Sequence, residues 1–574
     1  MAVTIRYPDH PLPGFRLNPF LTLTPMDNRR LLLLLVFSFS LVMLWDGWQK
    51  HNQPKVPASA AAANSTAGVP TPTAGTPGAV ALPGGPVAAA AVSAPLATIR
   101  TDVLVAEVSA QGGDIVRLEL TKHKSTEDQT RNYVLFDNGE KHNYAAQTGL
   151  IGNGLPNHKT LFTLGATEAA LKDGENAVTL RLDAPPTADG IKVAKLITFN
   201  RGSYQAEVSY EITNGSGAPI APHAYFQFTR DGQPAEQPGG FGVQTFTGPA
   251  FYTETEKYQK VAFEDIAAKK AKFVTKAADG WAAMVQHYFV AGWAPTAGER
   301  EFFANQVSSD LYSAGVILPV AAIAPGQVGK LAVPLYAGPQ EQSRLETFAK
   351  GFDLVVDYGW LTIIAAPLFW VLEWFHKLTG NWGWAIILVT IALKALFFPL
   401  SAASYKSMAK MKTLGPRLQR MKEQYGDDKM KMQQAMMDMY KREKVNPLGG
   451  CLPILIQIPV FIALYWVLLG AVEMRDAPWI GWITDLASPD PYFILPVIMM
   501  ASMFIQTKLN PTPPDPIQAK VMMAMPLIFG VMFFWFPAGL VLYWVVNNVL
   551  SIAQQWQITR MIDAGGKAAN DAKA

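Results

Sequence analysis

A lysine stands within one of the most apolar stretches of the chain. Residues Gly380–Ser401 include Lys394, yet they are long and apolar enough to cross a bilayer, which needs roughly 20 such residues. An ammonium at that depth costs at least ~2.5–3.5 kcal/mol on insertion scales. Neither this segment nor the apolar segments after it contain Asp or Glu, so the charge needs water or an incoming partner. We expect a hydrated site that attracts negative groups transiently; the alternative is a side chain that extends to the membrane surface.

Polar residues recur at helical spacing on the other apolar segments. Thr390 lies one turn before Lys394 on the same helix face, and the last segment carries Tyr543, Asn547, Ser551 and Gln555 at intervals of four, with Asn548 and Gln554 beside them. Such faces can converge on a hydrated groove, although hydrogen bonding between helices also explains them. The candidate groove residues are Lys394, Thr390, Gln457, Phe461, Ser502, Gln506, Tyr543, Trp544, Asn547 and Ser551.

The segment Ser404–Asn446 is basic, with eleven Lys and Arg against five Asp and Glu, a net charge of +6. Its apolar spacing predicts two helices joined by a turn at Gly426–Asp428. Methionine-rich faces can accept varied apolar partners, but they can also serve only to pack the two helices together. The basic residues could contact anionic lipid or ribosomal RNA. The candidate contacts of this hairpin are Met421, Met432, Met436 and Met439.

Charge in the loops sets the orientation of the apolar segments. The loop Ala471–Asp490 has one basic and four acidic residues, a net charge of −3. By the positive-inside rule this loop lies outside and Ser404–Asn446 lies in the cytoplasm. We expect six spans with both termini in the cytoplasm. Beyond the N-terminal span, the predicted spans are Trp382–Leu400, Leu452–Gly470, Tyr492–Leu509, Val521–Phe536 and Ala538–Trp556.

The remaining segments differ sharply in composition. Short β-type runs such as Thr101–Val108 and Tyr204–Thr213, separated by turns such as Gln111–Asp114 and by clusters of Gly, Pro and Asn, predict one antiparallel β-sandwich. We expect an α-helical polytopic membrane protein with this extracytoplasmic sandwich attached. Its predicted segments are a cytoplasmic N-terminus (1–30), a first transmembrane helix (31–48), an Ala- and Pro-rich disordered tether (49–96), the β-sandwich (97–340), a connector with an interfacial amphipathic helix (341–379), a five-helix core (380–558) that includes the hairpin 404–446, and a cytoplasmic tail (559–574).

Enzyme signatures are missing from the sequence. It has no phosphate-binding loop of the G-x-x-x-x-G-K-[ST] type, no H-E-x-x-H and no G-x-S-x-G. Its single cysteine, Cys451, excludes an intrachain disulfide and any multi-cysteine metal site. We therefore expect no enzymatic activity, no cofactor, no metal and no small-molecule substrate.

Four stretches carry a resemblance to a known family. The chain resembles the YidC-type membrane protein insertases, relatives of the insertases of mitochondria and chloroplasts, most strongly between about Asp353 and Gln557. The extra first span and the large β-domain resemble the Gram-negative inner-membrane form, whose periplasmic domain is a β-supersandwich. The stretches are Asp357–Trp360, Gly380–Gly383, Val445–Cys451 and Trp535–Tyr543.

The resemblance implies a hydrophilic groove in a five-helix core, open to the cytoplasm and to lipid but closed outside. The positive residue of that groove maps to Lys394; many family members have arginine there, and lysine keeps the charge without the bidentate fork. The resemblance also implies an inner-membrane location with the β-domain in the periplasm. The implied partners are nascent membrane proteins, the Sec translocon, the ribosome and membrane lipids.

Two other functions fit some of the same features. A transporter or channel for an anion could use Lys394, but the spans show no inverted repeat and no pair of broken helices. A receptor built on the β-domain could use the helices as a passive anchor. In that case, deleting most of Ala97–Gly338 would remove its function, whereas an insertase should largely survive the deletion.

We predict that translation starts at Met26, because Arg29 and Arg30 directly precede the first apolar run and would hold the N-terminus in the cytoplasm. The intact mass of the purified protein measures the start site. A mass that includes Met1–Pro25 would contradict the prediction.

Overall fold

A computed structural model describes most of the chain beyond the tether. The predicted N-terminal segment (1–30), the first transmembrane helix (31–48), Met26 and Cys451 lie outside the described residues. The described ranges are 69–72, 94–126, 128–139, 142–233, 245–296, 298–426, 428–443, 452–510 and 516–571.

The predicted β-sandwich is confirmed: nineteen strands form two sheets around a shared apolar core. Neighbouring strands are antiparallel except for β1 and β7, which pair in parallel. The ten-stranded sheet has the order β14-β17-β18-β11-β5-β4-β3-β2-β1-β7. These strands are β1 Leu96–Arg100, β2 Leu104–Ser109, β3 Ile115–Lys124, β4 Asn132–Asn138, β5 Asn143–Ile151, β7 Glu168–Ala170, β11 His223–Asp231, β14 Lys276–Ala277, β17 Arg300–Ser308 and β18 Leu311–Pro319.

The nine-stranded sheet has the order β13-β12-β15-β16-β19-β10-β9-β8-β6. Its strand β8 alternates strictly between exposed and buried residues, the period-2 pattern of a strand with one face on the core. These strands are β6 Thr163–Leu164, β8 Ala177–Asp183, β9 Lys192–Asn200, β10 Gln205–Thr213, β12 Gly248–Thr253, β13 Lys257–Lys260, β15 Trp281–Val285, β16 Phe289–Trp293 and β19 Val328–Pro339.

Local side-chain chemistry shifts one predicted strand. The run from Thr101 was expected to be extended, but β2 begins only at Leu104. The Thr101 hydroxyl accepts hydrogen bonds from the backbone N–H groups of Val103 (3.3 Å) and Leu104 (3.0 Å). This local bond holds a turn in place of the ladder. The predicted turn after β2 is present, with Gly112 and Gly113 at φ of 75° and 63°.

Part of the Ala- and Pro-rich tether packs on the sandwich, contrary to the expectation that it has nothing to bury. Within residues 69–72, Pro70 is buried, and Val69 packs against a small cluster on the ten-stranded sheet. That cluster is Ile151, Tyr225 and Ile317.

The helical part follows β19, and among the described residues one helix, the five-residue α1 within the sandwich, precedes it. 3₁₀ turns occur at Phe352–Val355, Gly359–Leu361, Val472–Met474 and Phe533–Trp535. The helices are α1 Phe263–Ala267, α2 Gln342–Phe348, α3 Thr362–Thr379, α4 Trp382–Leu396, α5 Phe398–Thr413, α6 Gly415–Gln424, α7 Lys429–Arg442, α8 Leu452–Gly470, α9 Ile494–Leu509, α10 Pro516–Met532 and α11 Ala538–Asp571.

The predicted continuous span Trp382–Leu400 is bent. Helix α4 ends at Leu396, and α5 leaves at 66° to it. Pro399 lacks the N–H that would bond the carbonyl of Ala395, and its ring clashes with the preceding turn of a straight helix. Lys394 therefore lies in the last turn of α4 and not near the middle of one straight helix.

By length and hydropathy, none of the described helices alone is sufficient to cross a membrane, whereas the bent pair of α4 and α5 qualifies when taken together. Shorter apolar helical stretches run over Gln457–Gly470, Ile494–Leu509 and Ala519–Trp535.

The start of α4 is fixed by the stretch Gly380–Gly383. Gly380 ends α3 at φ 66°, and the Asn381 side chain accepts a hydrogen bond from the N–H of Trp384 (3.2 Å) as the N-cap. The same side chain donates to the carbonyls of Pro478 (3.1 Å) and Trp479 (3.0 Å). A Cβ on Gly383 would lie 2.1 Å from the Trp479 ring, so the loop that precedes α9 packs directly on α4.

The loop after α8 also binds the sandwich. Arg475, whose side chain is 6% exposed, lies over the rings of Tyr133, Tyr288 and Phe289 at 5.4–5.5 Å and donates to the carbonyl of Lys124. Each cation–π contact contributes up to ~2 kcal/mol when desolvated. The sandwich is therefore held against the helical part by a buried guanidinium with several partners.

Glu473→Gln should stabilise the protein above pH 7 and leave its stability near pH 5 unchanged. The Glu473 carboxyl accepts from the N–H of Gln342 (3.3 Å), and burial raises its pKa from 4.5 to about 7. The folded protein therefore loses stability as the pH rises from 4.5 through 7, by on the order of 2–3 kcal/mol. Glutamine removes that loss, which thermal unfolding at pH 5 and pH 8 measures.

The matched control is Glu346→Gln, which removes the same charge from an exposed side chain on α2. It should not change the difference in unfolding temperature between the two pH values. Equal stability of Glu473→Gln and the unsubstituted protein at pH 8 would contradict the analysis.

Candidate functional site

The side chain of Lys394 lies between α4, α5 and α11. It is only 6% exposed, and its Nζ donates a hydrogen bond to the Ser551 hydroxyl at 2.7 Å. Ser551 in turn donates to the carbonyl of Asn547 at 2.7 Å, and Tyr405 on α5 lies near the same hydroxyl. The Ser551 hydroxyl thus links the ammonium on α4 to α11.

This ammonium has no negative partner in the part of the chain that the structure describes; its recorded partner there is Ser551. A buried charge without a counter-ion is costly, because a neutral hydroxyl compensates only part of the lost hydration. An arriving carboxylate could replace Ser551 as the acceptor and neutralise the charge. The arrangement therefore favours reversible binding of an anionic group over permanent ion pairing.

A second polar contact lies between α9 and α11. Asn548 Nδ2 donates to the Ser502 hydroxyl at 3.2 Å, and Ser502 donates to the carbonyl of Met499 at 2.7 Å. Farther along α11, Gln555 donates to the carbonyl of Leu509 and to the Asn510 side chain, both at 3.3 Å. Here the structure supports the alternative that polar residues hold helices together.

Aromatic residues form the wall beside these contacts. Phe461 on α8 stacks on Tyr543 with 5.9 Å between ring centroids and meets Trp544 edge-on at 4.7 Å. Phe533 packs on the other side of Trp544 at 4.8 Å. The buried indole N–H of Trp544 has no hydrogen-bond partner among the described residues.

The structure brings together only some of the predicted groove residues. Lys394, Asn547 and Ser551 form one contact chain, Ser502 joins α11 through Asn548, and Phe461, Tyr543 and Trp544 pack together, as described above. Thr390 is buried but donates to the carbonyl of Ile386 on its own helix (2.7 Å). Gln457 and Gln506 are half-buried without recorded side-chain hydrogen bonds to described residues.

Asn548 was predicted only as a neighbour of the polar stripe, not as a groove residue. Tyr405 was not identified from the sequence. The stripe at intervals of four favoured Asn547, whereas Asn548, beside that stripe, is the residue whose side chain reaches Ser502 on α9. Tyr405 carried no signal in the apolar pattern, since its position depends on the bend between α4 and α5.

The predicted hairpin corresponds to α6 and α7. Asp428 caps α7 by accepting from the N–H of Lys431 at 3.1 Å. Met436 and Met439 pack with Leu418 around buried Leu414 and Tyr440, which favours the packing alternative for these two methionines.

The other two predicted contacts, Met421 and Met432, are half-buried and lie outside that cluster. The methionines that project furthest are Met430 and Met437, at 67% and 46% exposure. The surface of the hairpin that a partner could touch therefore differs from the predicted one.

Comparison with protein families and known proteins gives consistent matches. The family model for the YidC periplasmic domain matches residues 96–371, and that for the 60Kd inner membrane protein matches residues 374–565. A membrane protein insertase YidC from Aromatoleum aromaticum is 68% identical over 95% of this chain and all of its own length. One from Dechloromonas aromatica is 63% identical over 96% and 100%.

Among solved structures, an active YidC insertase with its first transmembrane domain resolved is 18% identical. The match covers 80% of this chain and 94% of the other, with a TM-score of 0.38. That score is too low for the elements of the two chains to be equated.

Proposed function

The chain belongs to the YidC family of membrane protein insertases, and we propose that it admits its substrates to the groove at Lys394. The protein is a non-enzymatic insertase of the inner membrane with a periplasmic β-sandwich domain. The observation that carries the proposal is the buried ammonium whose recorded partner is the Ser551 hydroxyl.

A short acidic N-terminal tail of the substrate binds first. At ~4 Å and an effective dielectric constant of ~20, a carboxylate gains up to ~4 kcal/mol beside the ammonium before desolvation. The carboxylate replaces the Ser551 hydroxyl as the acceptor of the Lys394 hydrogen bond. The bond to Ser551 forms again when the tail leaves. The net gain is small, so the tail is held transiently and then passes to the periplasm.

The hydrophobic segment of the substrate follows along the lipid-facing side formed by α8 and α10. Phe461 and Met525, both half-buried, contact it there. Its transfer into lipid is favourable by about 0.8 kcal/mol for each CH₂ group that leaves water, and this drives release. No nucleotide is needed.

The finer topology belongs to the same proposal. Six spans place both termini and the hairpin in the cytoplasm, as the loop charges favour, and α3 lies in the outer interface. On α3, the apolar side chains of Ile363, Trp370 and Leu378 are 86%, 66% and 69% exposed, as expected of a helix that rests on lipid.

The hairpin receives the nascent chain, and its basic residues contact the ribosome and anionic lipid. The Sec translocon is a further partner of the insertase. The alternative of an anion transporter or channel is not carried further, because the matched relatives are insertases.

Lys394→Glu should reduce insertion of a single-span substrate with an acidic tail by about tenfold or more, because repulsion replaces an attraction of up to ~4 kcal/mol. Lys394→Arg keeps the charge and should retain most of the activity. Proteoliposomes that contain only the insertase and one such substrate provide the measurement, with protease protection of the tail as the readout.

The matched control is Lys377→Glu, which reverses a charge on an exposed side chain paired with Glu373. It should insert like the unsubstituted protein. Normal insertion by Lys394→Glu would rule out the assigned role of the lysine.

Photo-crosslinkers at Gln457 and Phe461 should capture the hydrophobic segment of an arrested nascent chain, because both lie on the proposed path along α8. A crosslinker at Ile363, on the exposed face of α3, is the control and should label lipid. If the positions on α8 also label only lipid, the substrate takes another path.

A further inference from the structure

A polar cavity of about 650 Å³ opens in the periplasmic domain beside β4. Four consecutive residues of that strand, Asn132, Tyr133, Val134 and Leu135, line it. Successive side chains of a strand point to opposite faces of the sheet, so a cavity that touches all four meets the strand at its backbone edge.

That edge of β4 lacks a strand partner over most of its length. On one side β4 pairs with β3, from Lys124↔Asn132 to Arg117↔Asp137. On the other side its ladder with β5 consists of Asp137↔Tyr144 and Asn138↔Asn143. Within the described chain, the outer edge of Asn132–Phe136 therefore offers backbone groups to an added strand, about 17 Å long at 3.3–3.4 Å per residue.

A buried guanidinium lies in the wall of the same cavity. Arg230 is 4% exposed, and Tyr144, over whose ring its Cζ lies at 5.0 Å, is also 4% exposed. Its Nη2 makes one long hydrogen bond to the carbonyl of Gln233 (3.4 Å). Among the described residues, Arg230 Nη1 and the Tyr144 hydroxyl are both buried without a hydrogen-bond partner, so two donors in this wall lack an acceptor.

The other charges in the wall already have partners. Arg117 pairs with Glu119 (3.8 Å) and Asp137 (3.6 Å), and Arg131 pairs with Asp128 (3.2 Å). Asp231 accepts from the N–H groups of Asn143 (2.7 Å) and Gln233 (3.2 Å). Among the described lining residues, Arg230 is thus the arginine left without a carboxylate, and the natural complement is an anion brought by a ligand.

We propose that this cavity binds an acidic polypeptide segment in an extended conformation. The segment adds as a strand beside Asn132–Phe136, with hydrogen bonds between backbones, and one of its carboxylates accepts from Arg230 Nη1 and the Tyr144 hydroxyl. A free anion or a lipid headgroup would bind only the guanidinium and would leave the strand edge without a partner. A peptide can bind both, so the open strand edge favours a peptide as the ligand. This site faces the periplasm and is independent of the groove at Lys394.

The test measures binding of a fluorescent, end-capped eight-residue peptide, in which glutamate alternates with threonine and valine, to the full-length protein in nanodiscs. Arg230→Gln should weaken its binding by about tenfold or more, since charge-assisted hydrogen bonds are the strong ones. Tyr144→Phe, which removes only the hydroxyl, should weaken it a few-fold. Arg181→Gln, at a side chain on β8 that is 50% exposed, paired with Asp183 (2.9 Å) and outside the cavity, is the matched control and should bind normally.

Two further peptides separate the contribution of backbone hydrogen bonds from that of the carboxylate bound by Arg230. A peptide methylated on alternate backbone nitrogens should not bind if it adds as a strand, and glutamine in place of glutamate should abolish the effect of Arg230→Gln. Equal binding by Arg230→Gln and the unsubstituted protein would overturn the proposal. So would inorganic phosphate that displaces the peptide at comparable concentration, or binding only to vesicles of anionic lipid. If Arg230→Gln fails to fold, the Tyr144→Phe and methylated-peptide results decide.

Discussion

The hydrogen bond between the Lys394 ammonium and the Ser551 hydroxyl is the interaction on which the helical part depends. It joins the last turn of α4 to the middle of α11, and the bend after Leu396 brings Tyr405 to the same hydroxyl. A hydroxyl is a weak partner for a buried cation. The fold supplies enough contact to place the charge, and under the proposed function the remainder of its stabilisation comes from an incoming acidic chain.

Buried cations in this protein differ in how fully they are satisfied. Arg475 has three aromatic rings and a carbonyl, and it holds the sandwich against the loop after α8. Lys195 is 1% exposed and donates to the carbonyl of Gly112 at 3.0 Å. Burial lowers the pKa of Lys195, and the nearby charge of Asp114 opposes that lowering. Lys394 and Arg230 lack such partners. Under the two proposals made above, Lys394 and Arg230 bind ligands, whereas the satisfied cations serve the fold.

Alternation and turn residues were sufficient to predict the sandwich, because each strand buries one face and Gly112–Gly113 needs positive φ. The capped turn at Asp428 could likewise be predicted, since it rests on local chemistry. Features set by tertiary contacts could not be predicted in this way; they are the hydrogen bond from Asn548 to Ser502 and the burial of Pro70 on the sandwich. In each, the deciding partner is distant in sequence, and periodicity carries no information about it.

The most direct test of the account is whether water and solutes from the cytoplasm reach position 394 in a bilayer. In a protein with Cys451→Ala and Lys394→Cys, a membrane-impermeant maleimide added at the cytoplasmic face should label the new thiol. Met430→Cys, on the exposed surface of α7, is the control, and its labelling defines the extent expected of a fully accessible thiol. Absence of labelling at position 394 under conditions that label position 430 would contradict the account.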